Sequence, residues 1–144
     1  MECWGSGVLE TRCTTPVLQH SIEKMAFTLD KVVPWGRNLD EYRRMFALNE
    51  ADLQQRILGC GDGPASFNAE MHQHGCQVVS VDPIYRFSME QIKGRITKTR
   101  QQVMEQLFRN VDSFVWQTIP TPEDLERIRL EAMNVFLQDF AQGT

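Results

Sequence analysis

A glycine-rich run followed by a distant acid is the feature of this sequence that most clearly indicates chemistry. Residues 56–63 read RILGCGDG, and residues 78–82 read VVSVD. This pattern predicts a strand, a glycine turn that opens a helix, a second strand, and an acid at the end of that strand. Glycines let a backbone approach a ligand closely, and a carboxylate after the second strand accepts hydrogen bonds from ribose hydroxyls. The spacing between the glycine turn and Asp82 therefore predicts a site for a nucleoside-containing cofactor.

Caps and periodicity predict the elements that would position this site. Asn38 and Asn49 are candidate N-caps of two short helices. Strands are predicted over residues 55–60 and 77–82, the second of them buried, and a helix over residues 64–74 lies between them. Gly75 would end this helix as a left-handed cap. The rest reads as helical, with predicted segments over residues 88–109 and 111–117 and a last helix that begins at Thr121-Pro122 and has the apolar stripe Leu125, Ile128, Ala132, Val135, Phe136 and Phe140.

The fold class predicted from these elements is α/β, with two recognisable parallel strands and a helix-rich C-terminal half. Two strands are too few for an independently stable doubly wound sheet. We therefore expect the N-terminal part of a longer protein, or a sheet that another chain completes. Residues 1–24 are predicted to be a weakly structured arm. Residues 25–144 would be a partial cofactor-binding domain, within which residues 86–142 form a helical extension or a lid.

The residues of the glycine turn, Leu58-Gly59-Cys60-Gly61-Asp62-Gly63, together with the acid Asp82, resemble class I S-adenosylmethionine-dependent methyltransferases. The phrases VPWGR (33–37), EYRRMF (41–46) and DPIYRFS (82–88) are similar to a largely uncharacterised bacterial subgroup of that family. The resemblance runs from about Phe27 to the end of the chain. It implies the N-terminal portion of a Rossmann-like methyltransferase fold, with the remaining strands of the sheet absent.

The resemblance also implies a cofactor, S-adenosylmethionine, and transfer of its methyl group to an unidentified acceptor. Asp82 would take the ribose hydroxyls, and Ile84 or Tyr85 would pack on the adenine ring. Trp35, Arg37 and Tyr42 would form a flap over the methionine end, although core packing is the simpler role for Trp35 and Tyr42. The family often has an acid where this chain has Ile57, so Asp62 or Arg37 would have to hold that end instead. Catalytic residues would follow later strands, and none is named. The implied cofactor-binding residues are Gly59, Cys60, Gly61, Asp62, Gly63, Asp82, Pro83, Ile84, Tyr85, Arg37 and Tyr42.

Three other interpretations stay open. A nicotinamide or flavin oxidoreductase prefers a glycine where this chain has Pro64. A metal site built from Glu70, His72, His74 and Cys76 is disfavoured, because alternate residues diverge at the end of a helix. A non-catalytic docking or oligomerisation module would use Phe114, Val115, Trp116 and Ile119 as an exposed patch, although core packing is the simpler role for these side chains. Packing is likewise the simpler role for Cys60, which has no histidine nearby in sequence.

Composition and charge restrict the partners and the compartment. The net charge is −4, so general affinity for nucleic acid is not implied. Residues 86–109 are locally basic; a solvated helix face is the simpler explanation, and nucleic acid is an unexpected but not excluded partner. The start does not resemble a signal peptide, and no apolar stretch approaches the length of a membrane span. We therefore expect a cytoplasmic protein with reduced thiols and no membrane partner, and an unfinished sheet edge favours a homo-oligomer.

Overall fold

The computed structural model describes residues 33–143, so the predicted arm over residues 1–24 lies outside the described residues. This part of the chain contains two parallel strands and five α-helices. In chain order the elements are α1 (Leu39–Phe46), α2 (Glu50–Leu53), β1 (Ile57–Cys60), α3 (Phe67–Gln73), β2 (Val78–Val81), α4 (Met89–Arg109) and α5 (Pro122–Gln142). Short 3-10 turns at Pro83–Arg86 and Val111–Ser113 flank α4.

Helix starts follow the predicted caps closely. Asn38 and Asn49 each form a reciprocal capping box with the third residue of their helix, and Ser88 does the same for α4. The Thr121 hydroxyl accepts the Asp124 N–H at 3.0 Å, with proline at the first helical position. A polar cap of this kind typically stabilises a helix by about 1 kcal/mol. The predicted starts of these four helices are confirmed.

The sheet consists of β1 and β2 in parallel register, with Ile57 opposite Val78 and Cys60 opposite Val81. One face of this sheet is covered. Ile57 and Val78 pack on a cluster of buried residues from α2, α3 and their loops: Leu53, Ala65, Phe67, Met71 and Cys76. The α/β class with two parallel strands is therefore confirmed in the described residues.

The opposite face of the sheet is bare, and here two predictions are wrong. Val79 and Val81 are 63% and 56% exposed, so β2 is not buried on both faces. Leu58 is 64% exposed, and Cys60 is exposed rather than packed. The reason is the two-residue alternation of a strand: these side chains point to the face that no element of residues 33–143 covers. Leu58, Cys60, Val79 and Val81 are called the bare face below.

Two helix predictions are also corrected. The helix after the glycine turn begins at Phe67, not at Pro64, because the intervening residues bend so that the Ser66 N–H donates to the Arg37 carbonyl at 3.0 Å. Residues 111–117 contain one 3-10 turn, which the Trp116 indole N–H closes onto the Val111 carbonyl at 2.9 Å. Phe114 and Val115 are 42% and 79% exposed, so core packing is wrong for these two side chains.

The helical half is built on packing between α4 and α5. Ile92, Ile96, Met133 and Phe136 form its buried centre, and Trp35, Ile84, Tyr85, Phe87 and Phe140 are among the side chains that pack around it. A buried ion pair between Glu41 and Arg129 links α1 to α5. Met133, absent from the predicted stripe, is fully buried. None of the helices within residues 33–143 combines the length and the apolar character needed to cross a membrane.

Candidate cofactor site

The glycine turn is a tight connection whose backbone is fixed by the end of β2. The Gly61 N–H donates to the Val81 carbonyl at 2.8 Å. Gly63 has a positive φ of 59°, and its N–H donates to Asp82 Oδ2 at 2.9 Å. Gly59 faces the Asp62 carboxylate so closely that a Cβ there would lie 1.9 Å from Oδ2. A side chain at residue 59 would therefore have to displace the Asp62 carboxylate, and glycine at Gly63 adopts its positive φ without steric cost.

Asp82, the predicted ribose acceptor, ties the glycine turn to the segment after β2. Its Oδ2 accepts the Gly63 N–H, and its Oδ1 accepts the Ile84 N–H at 2.7 Å. Asp82 is thus also the N-cap of the Pro83–Arg86 turn. A carboxylate has about four lone-pair sites, so each oxygen keeps acceptor capacity for a ligand hydroxyl.

The two carboxylate oxygens of Asp62 differ in their contacts. The Tyr42 hydroxyl donates to Asp62 Oδ1 at 2.9 Å, and the Tyr42 ring stacks on Phe67 with centroids 4.3 Å apart. Asp62 Oδ2 is buried and has no hydrogen-bond partner among residues 33–143. A buried acceptor left unsatisfied costs on the order of 1–3 kcal/mol, more when it is charged. A ligand that brings a donor to this oxygen would recover that free energy.

The chain has two tyrosines, and the hydroxyl of each donates a hydrogen bond to the glycine turn. The Tyr85 hydroxyl donates to the Gly63 carbonyl at 2.9 Å. Burial raises the pKa of Tyr42 and of Tyr85 well above the ordinary value, and the negative charge of Asp62 raises both further. The two phenols are therefore neutral donors at physiological pH.

A cleft of about 490 Å³ opens beside Gly59, within the size range of small-molecule sites. It is called the Gly59 cleft below. Six predicted cofactor residues line it: Arg37, Tyr42, Gly59, Cys60, Gly61 and Asp62. The other five, Gly63, Asp82, Pro83, Ile84 and Tyr85, are not among its lining residues. Hydrogen bonds tie Gly63 to Asp82 and to Tyr85. Ile84 and Tyr85, expected on the adenine ring, pack against the core between α4 and α5.

The apolar wall of the Gly59 cleft was not predicted from the sequence. Met45 and Phe46 come from α1, and Leu58 comes from the bare face. The available signal was helical spacing, because Met45 and Phe46 follow Tyr42 by three and four positions. Trp35 packs against the core between α4 and α5, which is the simpler of the two roles considered for it.

The residues of the metal interpretation do not form a cluster. Glu70 accepts the Leu39 N–H at 3.3 Å and bonds the Ser66 hydroxyl. His72 and His74 are exposed, whereas Cys76 is buried in the core beside α3. Within residues 33–143 no three His, Cys, Asp or Glu side chains come together in a way that would hold a metal ion.

A comparison with known proteins finds a relative that is similar in sequence to this chain. An uncharacterized protein of Methanocaldococcus jannaschii is 32% identical over 115 residues, which cover 78% of this chain and 51% of that protein. The chain therefore spans about half the length of the curated relative it matches. No family model matches the sequence, and no solved structure matches it.

Proposed function

We propose that this chain is the cofactor-binding portion of a class I S-adenosylmethionine-dependent methyltransferase with a Rossmann-like fold. The observation that carries the proposal is the Gly59 cleft, which both Arg37 and Asp62 line beside the glycine turn. Asp62 Oδ2 is buried there and has no hydrogen-bond partner among residues 33–143. The amino-acid end of S-adenosylmethionine carries an ammonium and a carboxylate. Asp62 matches the first group, and the Arg37 guanidinium matches the second.

The residues present thus fit the cofactor without the acid that the family often has at the position of Ile57. Asp62 would hold the ammonium, while its bond from Tyr42 fixes the carboxylate in place. Asp82 would accept the ribose hydroxyls with the lone pairs that its two backbone bonds leave free. Gly59 keeps side-chain atoms out of the space beside Asp62.

When bound, the cofactor supplies an electrophilic methyl group on a sulfonium centre. The protein's contribution to such a displacement is orientation and exclusion of water rather than covalent chemistry. In this chain, Tyr42 and Tyr85 hold the turn with neutral hydroxyl donors. Met45 and Phe46 give the Gly59 cleft an apolar wall that displaces water. The methyl acceptor would approach from outside the described residues.

Calorimetric titration of the folded chain tests the proposal. S-adenosylmethionine and its demethylated product are titrated, with NAD in parallel. We expect both sulfur ligands to bind and NAD not to bind, because Pro64 stands where a dinucleotide turn needs glycine. Asp62→Asn keeps the size of the side chain but removes its charge, and we expect it to weaken binding at least tenfold, about 1.4 kcal/mol.

Asp112→Asn is the matched control, since Asp112 is exposed in the turn after α4 and does not line the Gly59 cleft. It should bind like the wild type, and circular dichroism should show that both variants are folded. A folded wild-type chain that binds neither sulfur ligand contradicts the proposal. That result would favour the docking module, for which the exposed Phe114 and Val115 are the candidate surface.

A further inference from the structure

Four cations near the start of α4 form no ion pair with any acid among residues 33–143. Arg86, Lys93, Arg95 and Lys98 are all exposed, and none of them forms an ion pair within the described part of the chain. Several other arginines on the helices are paired, including Arg100 with Glu126 on α5. Unpaired cations on one segment of a chain with net charge −4 create a local positive potential that the overall charge conceals.

Part of this basic segment forms a cleft. Phe87, Gln91, Gly94, Arg95 and Lys98 line an open depression of about 280 Å³, called the Phe87 cleft below. Gly94 contributes to its depth, because nothing lies within 4 Å of the position its Cβ would take. The positions on α4 fall at i, i+3, i+4 and i+7, so they share one face of the helix. Glu90, the acid of this segment, is exposed but does not line the cleft.

The aromatic side chain of the cleft is covered by arginine. The Arg95 guanidinium carbon lies 4.3 Å from the centroid of the Phe87 ring, and that of Arg86 lies 4.8 Å from it. A guanidinium held near an aromatic ring is partly immobilised and keeps N–H donors for phosphate. Its planar surface is also one on which an unpaired base stacks in single-strand recognition.

We propose that the Phe87 cleft binds a segment of single-stranded nucleic acid. Lys98 and Arg95 would contact successive phosphates, and the arginine planes beside Phe87 would stack on a base. An acidic peptide would use the cations but would have no use for the stacking surface. Phe87 follows Asp82 by five residues, so the bound strand would lie beside the segment that leaves the cofactor acid. This binding does not depend on the proposed methyltransferase activity.

Fluorescence anisotropy with a labelled twelve-nucleotide oligouridine tests the proposal on the whole chain. We expect saturable binding at 50 mM salt, with Kd raised at least tenfold by Arg95→Glu and by Lys98→Glu. Lys93→Glu is the matched control, since Lys93 is an exposed cation on the same helix that does not line the cleft. It should change Kd less than threefold. The slope of log K against log salt should fall by about 0.7 when one phosphate contact is lost in Lys98→Glu.

Three results would overturn the proposal. The first is no saturable binding at 50 mM salt by a chain that circular dichroism shows to be folded. The second is equal weakening by Lys93→Glu and Lys98→Glu, which would mean diffuse attraction rather than a cleft. The third is a polyglutamate peptide of equal length that competes as well as unlabelled oligouridine, which would mean that charge alone is recognised and that stacking contributes nothing.

Discussion

Two phenols at the glycine turn give the site a spectroscopic signal. Tyr42 and Tyr85 are the chain's two tyrosines, and burial followed by the charge of Asp62 raises the pKa of each. We expect the tyrosinate absorbance of the native chain to appear at a higher pH than in the chain unfolded by denaturant, where the midpoint should be about 10.

The raised pKa values of Tyr42 and Tyr85 determine how the stability of the chain depends on pH. The native state binds the phenolic protons more tightly than the unfolded state does. The stabilisation is therefore complete below pH 10 and is lost as the pH rises above it. Because both rings are partly solvated, the loss should be well below the limit of about 1.4 kcal/mol per pH unit for each group. In Tyr42→Phe only Tyr85 remains, so we expect a single tyrosinate transition at a raised pH. A midpoint near pH 10 in the native chain would show that the glycine turn does not raise the pKa of the phenols.

Gly59 and Gly94 provide a matched pair of alanine substitutions. Gly59→Ala would place a Cβ within 2 Å of the Asp62 carboxylate, so Asp62 must move or the turn must distort. Gly94→Ala adds a methyl group in open space inside α4, where alanine is favoured over glycine by about 1 kcal/mol. Urea unfolding should show a loss of stability for the first variant and a gain for the second. Equal changes in the free energy of unfolding would mean that the Asp62 carboxylate does not pack against Gly59 in solution.

Helix starts could be predicted from the sequence because an N-cap is a local event. The side chains of Asn38, Asn49, Ser88 and Thr121 bond N–H groups only two or three residues away. Arg129 could not be predicted in the same way. It is 6% exposed, within the apolar surface of α5, and its partner Glu41 lies 88 residues earlier in the sequence. Only tertiary packing brings these two charges together.

The Glu41–Arg129 ion pair should contribute a large share of the free energy that holds α1 against α5. Both side chains are less than 10% exposed, so removing one charge strands the other in the interior. We expect Glu41→Gln and Arg129→Met each to cost about 3–5 kcal/mol in chemical denaturation. The double variant should cost less than the sum of the two losses. Arg109→Met is the control, because its pair with Glu105 is exposed and is worth about 1 kcal/mol or less. Additive single losses would indicate that the two side chains do not interact.

At the scale of the whole molecule, the sequence predicted the strand–turn–helix–strand order but not which sheet face is covered. Val78 and Val79 are the same residue type, so hydrophobicity and strand propensity predict the same environment for both. Val78 packs against the core beside α3, whereas Val79 is 63% exposed. Burial of a strand face depends on elements far along the chain, so composition of the strand alone does not decide it. The position of the glycine turn between β1 and α3 could be predicted for the opposite reason, since residues 59–63 follow one another in sequence. That this turn holds a cofactor stays a prediction.

Substitution of these two valines tests whether the bare face is exposed in solution. Val79→Thr replaces an exposed methyl group with a hydroxyl and should change the stability by no more than about 0.5 kcal/mol. Val78→Thr makes the same change against the core and should cost more, because the hydroxyl must be desolvated. Exposed apolar patches commonly mark contact surfaces. The wild type should therefore bind an apolar dye or self-associate in sedimentation, and Val79→Thr should weaken either effect. If Val79→Thr instead destabilises the chain as much as Val78→Thr, a further segment or a second copy covers this face in solution.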